Sequence, residues 1–496
     1  MLRIPLINTL RVLPMMLAGL ATSASAATLE VNRTDDGGGE HTLRWAILQS
    51  NAAPGKHQIK ITPTGDIKKD GFVIRPTSLL PQIIGPTVIE GMRRGNGDVP
   101  EVVIDGSNIV DVTTTASCPG FGGVGNGPNV RGFANPALAI VDSGNVDISG
   151  LEIRNFCIGI LLLRSHDNHI HQNVIHDMVG AAGVEITGDA GDAAGSATTG
   201  LSINNLVEYN DIFNTGDGGE CTRGSSNITY QFNRFAQTSP NTVSPRSQGV
   251  ECAGNGNDNI KFIGNTFSGY SDGLQLNGAT NVLVEGNEFT AITFGITSSG
   301  TGVIIRNNVI TRNRMGVGPA KGSQVTITRN AIYDNGQPIL SLPTSAGGTT
   351  DPGSPALLGI DVGADGVTPN DLAASCADGF PDCDGVQNFP VLVAGSSWDP
   401  SGRVTLVGTL PSRPNETFKI DFYASHALNA AGFAEGEVFL GSVPVTTDAT
   451  GNATFRFVVP TTNPLRDRSK HAIFTATATN ANGATSEFST GLMLAR

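Results

Sequence analysis

Apolar and polar residues alternate in short runs through the middle of this 496-residue chain, and the alternation recurs at a fixed interval. It is most regular over residues 259–333, where each of four segments has an alternating run, an Asn and a large apolar residue two positions later. The Asn residues are 22, 21 and 22 positions apart, namely Asn265, Asn287, Asn308 and Asn330. A period of about 20–25 residues with short β runs and Gly-rich turns predicts a solenoid of stacked β coils.

The Asn series extends towards the N-terminus with two longer intervals. Its earlier members are Asn155, Asn173, Asn210 and Asn233. The extra residues fall in two small, polar, turn-rich segments, 189–200 and 237–248, as insertions in lateral loops should. An inward Asn on successive coils predicts a ladder of hydrogen-bonded side-chain amides at a bend.

A short amphipathic helix is predicted before the first coils, over HTLRWAILQSN. Thr42 can cap it, and Leu43, Ala46 and Ile47 form one apolar face, so the helix can cover the open end of the solenoid core. This start resembles that of bacterial right-handed parallel β-helix proteins, which often carry a Cys-Ser-Leu-Arg-Glu-Ala-Ile-like helix. The matching residues are Thr42, Leu43, Arg44, Ala46 and Ile47, whereas His41 and Trp45 depart from that pattern.

The coils over residues 137–340, sharpest at 137–335, resemble the pectate-lyase-like β-helix superfamily. The resemblance implies a right-handed parallel β-helix over residues 27–340. An Asp- and Gly-rich linker at 341–387 follows, similar to a segment found after the last coil in many bacterial β-helix proteins. Residues 388–496 alternate again between turn signals, which predicts a small antiparallel, Ig-like β-sandwich. The expected fold class is therefore all-β.

The first 26 residues have the features of a secretory signal peptide cleaved after Ala26, so we expect a secreted or periplasmic protein. Cleavage would remove two arginines and no acidic residue, and the formal net charge of −13 would become −15. That charge disfavours nucleic acid as a partner, and no later apolar run is long enough for a membrane span. We expect a monomer whose partner is a polysaccharide or a cell-surface glycan.

Three glutamates and a glutamine occupy equivalent positions on four successive coils. If their apolar neighbours point inward, all four side chains point outward and form one column, with coils ~4.8 Å apart. The members are Glu185, Glu220, Glu251 and Gln275. Stacked carboxylates raise the pKa of at least one of them, which a general acid needs. Adjacent coils give roughly 5 Å and alternate coils roughly 9.6 Å, near the carboxyl separations of retaining and inverting glycosidases respectively.

This column predicts a catalytic groove. Its catalytic candidates are Asp217, Glu220, Glu251, Asp272 and Arg223. Its substrate-binding candidates are Glu185, Gln275, Lys261 and Arg246. The alternative is that outward glutamates only keep this face of the solenoid soluble.

Four of the eight histidines lie within eleven residues, at 166–176, and alternation places His169 and His171 on one side of a strand. They could bind a transition metal or act as a base. The alternative is a polar turn with outward histidines.

No cofactor is expected to be required, but the linker is rich in oxygen ligands that suit Ca²⁺. The candidate ligands are Asp361, Asp365, Asp371 and Asp384. Ordinary turn chemistry is the alternative. Because export permits disulfides, Cys376–Cys383 and Cys118–Cys157 are expected to be bonded, and Cys221 and Cys252 are either bonded or stacked as thiols.

Two functions remain open. The resemblance implies a carbohydrate-active protein, a polysaccharide lyase or a glycoside hydrolase acting in the groove along the coils. The Gly-His-Gly and Arg-Ile-Lys motifs of polygalacturonases are absent, and this disfavours pectin hydrolysis of that type. The alternative is a non-catalytic extracellular protein for adhesion, glycan binding or surface structure, since one fold hosts both kinds of function.

Overall fold

Three parallel β-sheets run along the solenoid, and each coil contributes a strand to them. The computed structural model describes residues 26–63, 71–94, 99–114, 118, 135–179, 182–188, 200–238, 248–254, 256–338, 357–372, 375–377, 379, 381–393, 395–398, 403–460 and 473–494. The first 25 residues of the predicted signal peptide and Arg246 lie outside these residues, as do most of the two predicted loop insertions.

The first sheet has eleven strands: β1 Thr28–Val31, β2 His57–Ile61, β4 Thr87–Gly91, β9 Asp147–Ser149, β12 His169–His171, β16 Leu206–Glu208, β20 Thr229–Gln231, β23 Lys261–Ile263, β26 Leu283–Glu285, β29 Thr301–Arg306 and β32 Gln324–Thr328. The second sheet has ten: β3 Phe72–Ile74, β7 Val102–Asp105, β10 Leu151–Arg154, β13 Val174–His176, β17 Asp211–Phe213, β21 Arg234–Ala236, β24 Thr266–Ser268, β27 Glu288–Thr290, β30 Val309–Thr311 and β33 Ala331–Tyr333.

The third sheet has eight strands: β8 Pro136–Val141, β11 Ile158–Leu163, β14 Ala182–Thr187, β18 Asp217–Thr222, β22 Gln248–Ala253, β25 Asp272–Asn277, β28 Phe294–Ser298 and β31 Met315–Pro319. Two short pairs complete this part of the chain: β5 Arg93–Arg94 with β6 Val99–Pro100, and β15 Ser202–Ile203 with β19 Ser225–Ser226. A 3₁₀ turn covers Gly106–Asn108.

Identical positions on neighbouring coils stack inside the solenoid, because parallel in-register strands bring equivalent side chains together. The rings of Phe235, Phe267 and Phe289 form one such stack, with centroids 5.0 and 4.7 Å apart. Tyr230 stacks on Phe262 at 5.6 Å in the same way. The apolar alternation in the sequence therefore becomes a continuous core along the solenoid axis.

The predicted Asn ladder is present. Asn173 Nδ2 donates to Asn210 Oδ1 at 3.1 Å, and the same bond repeats from coil to coil as far as Asn330. Each Oδ1 also accepts a hydrogen bond from the backbone N–H of the previous ladder residue, so backbone and side-chain groups at this corner are paired with each other.

The prediction that Asn155 begins this ladder is wrong. Asn155 has a positive φ of 62° and donates to Asp105 Oδ1, and it lies at the corner occupied by Asp177 on the next coil. The ladder position on this coil is occupied by Leu151, the residue after Gly150, whose backbone N–H donates to Asn173 Oδ1. Two shorter Asn steps at other corners, Asn168–Asn205 and Asn313–Asn335, were not predicted.

Both ends of the solenoid core are covered. Helix α1, Leu43–Ala52, starts at Thr42, whose side chain accepts from Trp45 N. It buries Leu43, Ala46 and Ile47, as the sequence predicts, and also Ser50. At the other end, Gly436 forms an antiparallel bridge with Ile332, and the Thr485 hydroxyl accepts from Ile327 N at 2.9 Å.

The C-terminal strands form two four-stranded antiparallel sheets with a shared core. One contains β34 Val391–Leu392, β35 Ser397–Trp398, β36 Val404–Pro411 and β39 Asn452–Val458. The other contains β37 Thr417–Ser425, β38 Val438–Thr446, β40 Ile473–Thr479 and β41 Leu492–Met493. This arrangement agrees with the predicted sandwich.

The two expected disulfides are formed, and of the two alternatives for Cys221 and Cys252 the bonded one is present. The disulfides join Cys118 to Cys157, Cys221 to Cys252 and Cys376 to Cys383. Across the described part of the chain, no helix has the length and apolar character needed to span a bilayer.

Candidate functional site

The outer face of the third sheet carries the column of acidic side chains. Strand register pairs Glu185 with Glu220, Glu220 with Glu251, and Glu251 with Gln275. Glu185 and Glu220 are buried, and Glu251 is half-buried. Because paired strands are ~4.8 Å apart, the three carboxylates follow one another at the spacing of the coils.

A second row of polar side chains lies three residues earlier on the same strands. Gln248 is the register partner of Asp272, and Gln248 N donates to Asp217 Oδ1 at 2.8 Å. The Gln248 amide also donates to Gln275 Oε1 at 3.0 Å and so links the two rows. Gln248 is not among the residues predicted from the sequence, although it has the same position relative to Glu251 that Asp217 has relative to Glu220.

Glycines separate the two rows on consecutive strands. A Cβ on Gly218 or Gly249 would lie 2.5 or 2.4 Å from the carbonyl oxygen of the equivalent glycine on the next coil. Gly183 and Gly273 are similarly confined. A Cβ on Gly218 or Gly249 would also lie 2.5 Å from a ring carbon of the buried Phe235 or Phe267, so these positions face the core and the next coil and admit no side chain.

Two buried phenols lie beneath the acidic rows. The Tyr230 hydroxyl donates to the carbonyl oxygen of Glu220 at 2.9 Å. Burial raises the pKa of Tyr230, and the negative charges of Glu220 and Glu185 raise it further. Burial likewise raises the pKa of Tyr270, to which the charge of Asp217 also contributes. The sheet therefore places its carboxylates against neutral phenols.

Asp272 has the environment expected of a proton donor near neutral pH. Burial raises the pKa of its carboxyl to about 6, against the lowering effect of hydrogen bonds from Ser271 and Thr297. Ser271 Oγ donates to Oδ2 at 3.0 Å, and Thr297 Oγ1 lies 3.5 Å from Oδ1. A carboxyl with such a pKa can exist in either protonation state at neutral pH, as acid–base catalysis requires.

The predicted cationic partners of the groove are only partly present. Arg223 follows β18 directly, at the edge of the third sheet, and its backbone N–H bonds Ala253 O on the next coil. Lys261 begins β23 in the first sheet, so the prediction that it lies near the groove is wrong. The 22-residue repeat defines which coil Lys261 belongs to, but not which face of that coil.

Among the histidines singled out in the sequence, His176 is on the second sheet. It contacts Asp177 at 2.8 Å and Glu152 at 3.3 Å, and it stacks on Phe213 with ring centroids 4.8 Å apart. Burial lowers the pKa of His176, but hydrogen bonds to the two carboxylates outweigh that effect and raise it to about 9. His176 is therefore a structural cation at neutral pH.

The four predicted Ca²⁺ ligands have local partners. Asp361 accepts from the backbone N–H groups of Asp365 and Gly366. The Asp365 carboxylate pairs with Lys321 Nζ at 2.9 Å. Asp371 accepts from Asp382 N and Cys383 N, and Asp384 accepts from Val386 N. In the described part of the chain these four carboxylates do not converge on one point.

Comparison with known proteins supports the fold and adds a full-length relative. Residues 248–350 match a family described as "Right handed beta helix region". A 3-dehydroshikimate dehydratase from Acinetobacter baylyi is 33% identical over 511 residues, which cover 98% of this chain and 99% of the dehydratase. An alginate lyase from a Paenibacillus species is 13% identical, with a TM-score of 0.40 over 61% of this chain and 94% of that one. The pectate lyase Pel9A is 13% identical, with a TM-score of 0.34 over 63% and 72% of the two chains. The fold is a right-handed parallel β-helix, as the sequence predicts.

Proposed function

We propose that this chain, which belongs to the family of the 3-dehydroshikimate dehydratase of Acinetobacter baylyi, is a lyase. It would remove water from 3-dehydroshikimate or a close analogue. The observation that carries the proposal is similarity along essentially the whole length of both chains. The third sheet supports this proposal, because its carboxylates can accept and donate protons and Arg223 lies at its edge.

The reaction removes a proton from the carbon next to the ring ketone and expels the hydroxyl group from the neighbouring carbon as water. Loss of a second ring proton during tautomerisation then gives an aromatic dihydroxybenzoate. The reaction needs a base for the first proton and an acid for the leaving hydroxyl. The substrate also carries a carboxylate, which requires a cationic partner.

We assign these roles to the two rows of the third sheet. Glu251, which is half-buried, would take the proton, and Asp272, with its pKa of about 6, would protonate the leaving hydroxyl. These residues lie on neighbouring strands and in different rows, so a six-membered ring would lie between them. Arg223 at the sheet edge would bind the substrate carboxylate.

The test is incubation of the purified protein with 3-dehydroshikimate, with near-ultraviolet absorbance and mass spectrometry to identify the dihydroxybenzoate. Glu251→Gln and Asp272→Asn should each lower kcat about 10²–10⁴-fold, the usual contribution of one acid or base. Glu288→Gln, an exposed change on the second sheet, is the matched control and should leave kcat unchanged. Absence of product with the unmutated protein would disprove the dehydratase proposal.

A second candidate is the predicted carbohydrate-active function, either polysaccharide lyase or glycoside hydrolase, because the acidic column extends over several coils as a polymer-binding groove would. Polysaccharide lyases also abstract a proton next to a carbonyl group and expel an oxygen from the neighbouring carbon. A panel of polysaccharides, read by reducing ends and by absorbance of unsaturated products, distinguishes this candidate. Binding without turnover would instead favour the non-catalytic glycan-binding alternative.

Three further properties stay proposals. We expect export to an oxidising compartment, which the three disulfides support. We expect a monomer, to be checked by light scattering. Binding of Ca²⁺ by Asp361, Asp365, Asp371 and Asp384 would require these separated carboxylates to move together, and an unchanged melting temperature after chelation would exclude a stabilising Ca²⁺ there.

A further inference from the structure

The outer face of the first sheet carries a cluster that is separate from the acidic rows. Asp147 on β9 pairs in register with His169 on β12, and His171 follows two residues later on the same face. The two imidazole rings stack with centroids 4.0 Å apart and an interplanar angle of 20°. All three side chains are about one-fifth to one-third exposed, so solvent ions reach them.

The donor atoms have the separations of metal ligands. His169 Nδ1 lies 3.4 Å from Asp147 Oδ2, and His171 Nε2 lies 3.1 Å from Asp147 Oδ1. One ligand atom from each residue can be chosen so that all three lie within 4.8 Å of one another. Ligands bound tetrahedrally at about 2.0–2.1 Å are roughly 3.3 Å apart, so little movement is needed to admit an ion.

The other nitrogen of His169 has the partner that metal-bound histidines usually have. His169 Nε2 is 2.8 Å from Glu208 Oε1, and Gln231 Nε2 in turn donates to Glu208 Oε2 at 2.6 Å. A carboxylate on the second ring nitrogen fixes the tautomer and leaves the first nitrogen free to ligate. Glu208 is on β16 of the next coil, so the solenoid itself orients the ring.

We propose that Asp147, His169 and His171 bind one divalent transition-metal ion of the Zn²⁺ class, with Glu208 as the positioning residue. Two imidazoles and one carboxylate suit Zn²⁺ and its neighbours better than Ca²⁺ or Mg²⁺, which prefer oxygen ligands. Three protein ligands leave a fourth position for water or for an added ligand. The site does not depend on the proposed dehydratase function.

The experiment is equilibrium dialysis of the metal-stripped full chain against ZnCl₂, with metal counted by inductively coupled plasma mass spectrometry. One Zn²⁺ per chain should bind, and His171→Gln and Asp147→Asn should each abolish stoichiometric binding. Glu208→Gln should keep the stoichiometry and weaken affinity about 10–100-fold. His426→Gln is the matched control, since His426 also pairs with a glutamate, at 2.7 Å, but in the C-terminal sandwich.

A second measurement uses only the unmutated chain and therefore does not depend on whether a variant folds. Electron paramagnetic resonance of the unmutated chain loaded with one equivalent of Cu²⁺ should show coupling to two imidazole nitrogens. Circular dichroism in metal-free buffer checks that each variant folds. Failure of the unmutated chain to bind Zn²⁺, or binding that His171→Gln and Asp147→Asn leave intact, would overturn the proposal.

Discussion

At the residue scale, the acid–base chemistry that we propose for the third sheet depends on the protonation of Asp272. Burial raises its pKa to about 6, so its carboxyl is protonated below that pH and ionised above it. If Asp272 is the general acid, kcat for 3-dehydroshikimate should fall as pH rises through about 6, with a slope of one proton. The pH profile of Asp272→Asn, recorded on its residual activity, should lack that limb. An activity that instead rises through about pH 6 would assign Asp272 the role of base.

The acidic column was predictable because the Asn repeat shows which residues of successive coils are equivalent. The alternation of apolar and polar residues then shows which of these positions point outward. Gln248 was missed because it is neutral, although it bonds both rows. The partners of His169 were missed for a different reason. Asp147 lies 22 residues before His169, which is one regular repeat, and the period alone could have found it. Glu208 lies 39 residues after His169, across a long insertion, so only the strand register brings it close.

At the element scale, the Asn ladder stabilises one corner of the solenoid. Asn265 accepts from the backbone and side chain of Asn233 and donates to Asn287, all at 2.9–3.0 Å. Asn265→Ala removes these bonds and leaves the two buried Asn233 donors unsatisfied, which should lower the free energy of unfolding by about 2–4 kcal/mol. Urea denaturation followed by circular dichroism measures the change.

The matched control is Asn259→Gly. Asn259 also bonds an Asn on the previous coil, at 2.6 Å, but it is exposed, and its positive φ of 52° suits Gly. That substitution should change the unfolding free energy by less than about 1 kcal/mol. Equal losses in the two variants would show that burial of the ladder contributes nothing beyond the individual bonds.

At the scale of the whole molecule, buried carboxyl groups join the C-terminal sandwich to the last coil and to the linker that follows it. Glu435 accepts from Asn335 N at 3.2 Å, and Glu487 accepts from Val362 N and Thr368 N at 3.3 and 3.0 Å. Burial raises the pKa of Glu435 to about 7 and that of Glu487 to about 8, and nearby Asp361 contributes to the latter. The junction therefore holds protons that the unfolded chain would release.

This arrangement predicts that stability decreases as pH rises. A glutamate whose folded pKa is raised stabilises the fold fully below its unfolded pKa of about 4.5, and that contribution is lost as pH rises through the folded value. The free energy of unfolding should therefore fall between about pH 5 and pH 8, and Glu487→Gln should reduce that fall by on the order of 2 kcal/mol. Glu416→Gln, an exposed change in the sandwich, should leave the fall as it is. Urea denaturation at about pH 5 and pH 8 measures the free energy of unfolding at each pH. If that free energy has the same pH dependence in Glu487→Gln as in the unmutated chain, the junction does not respond to pH through Glu487.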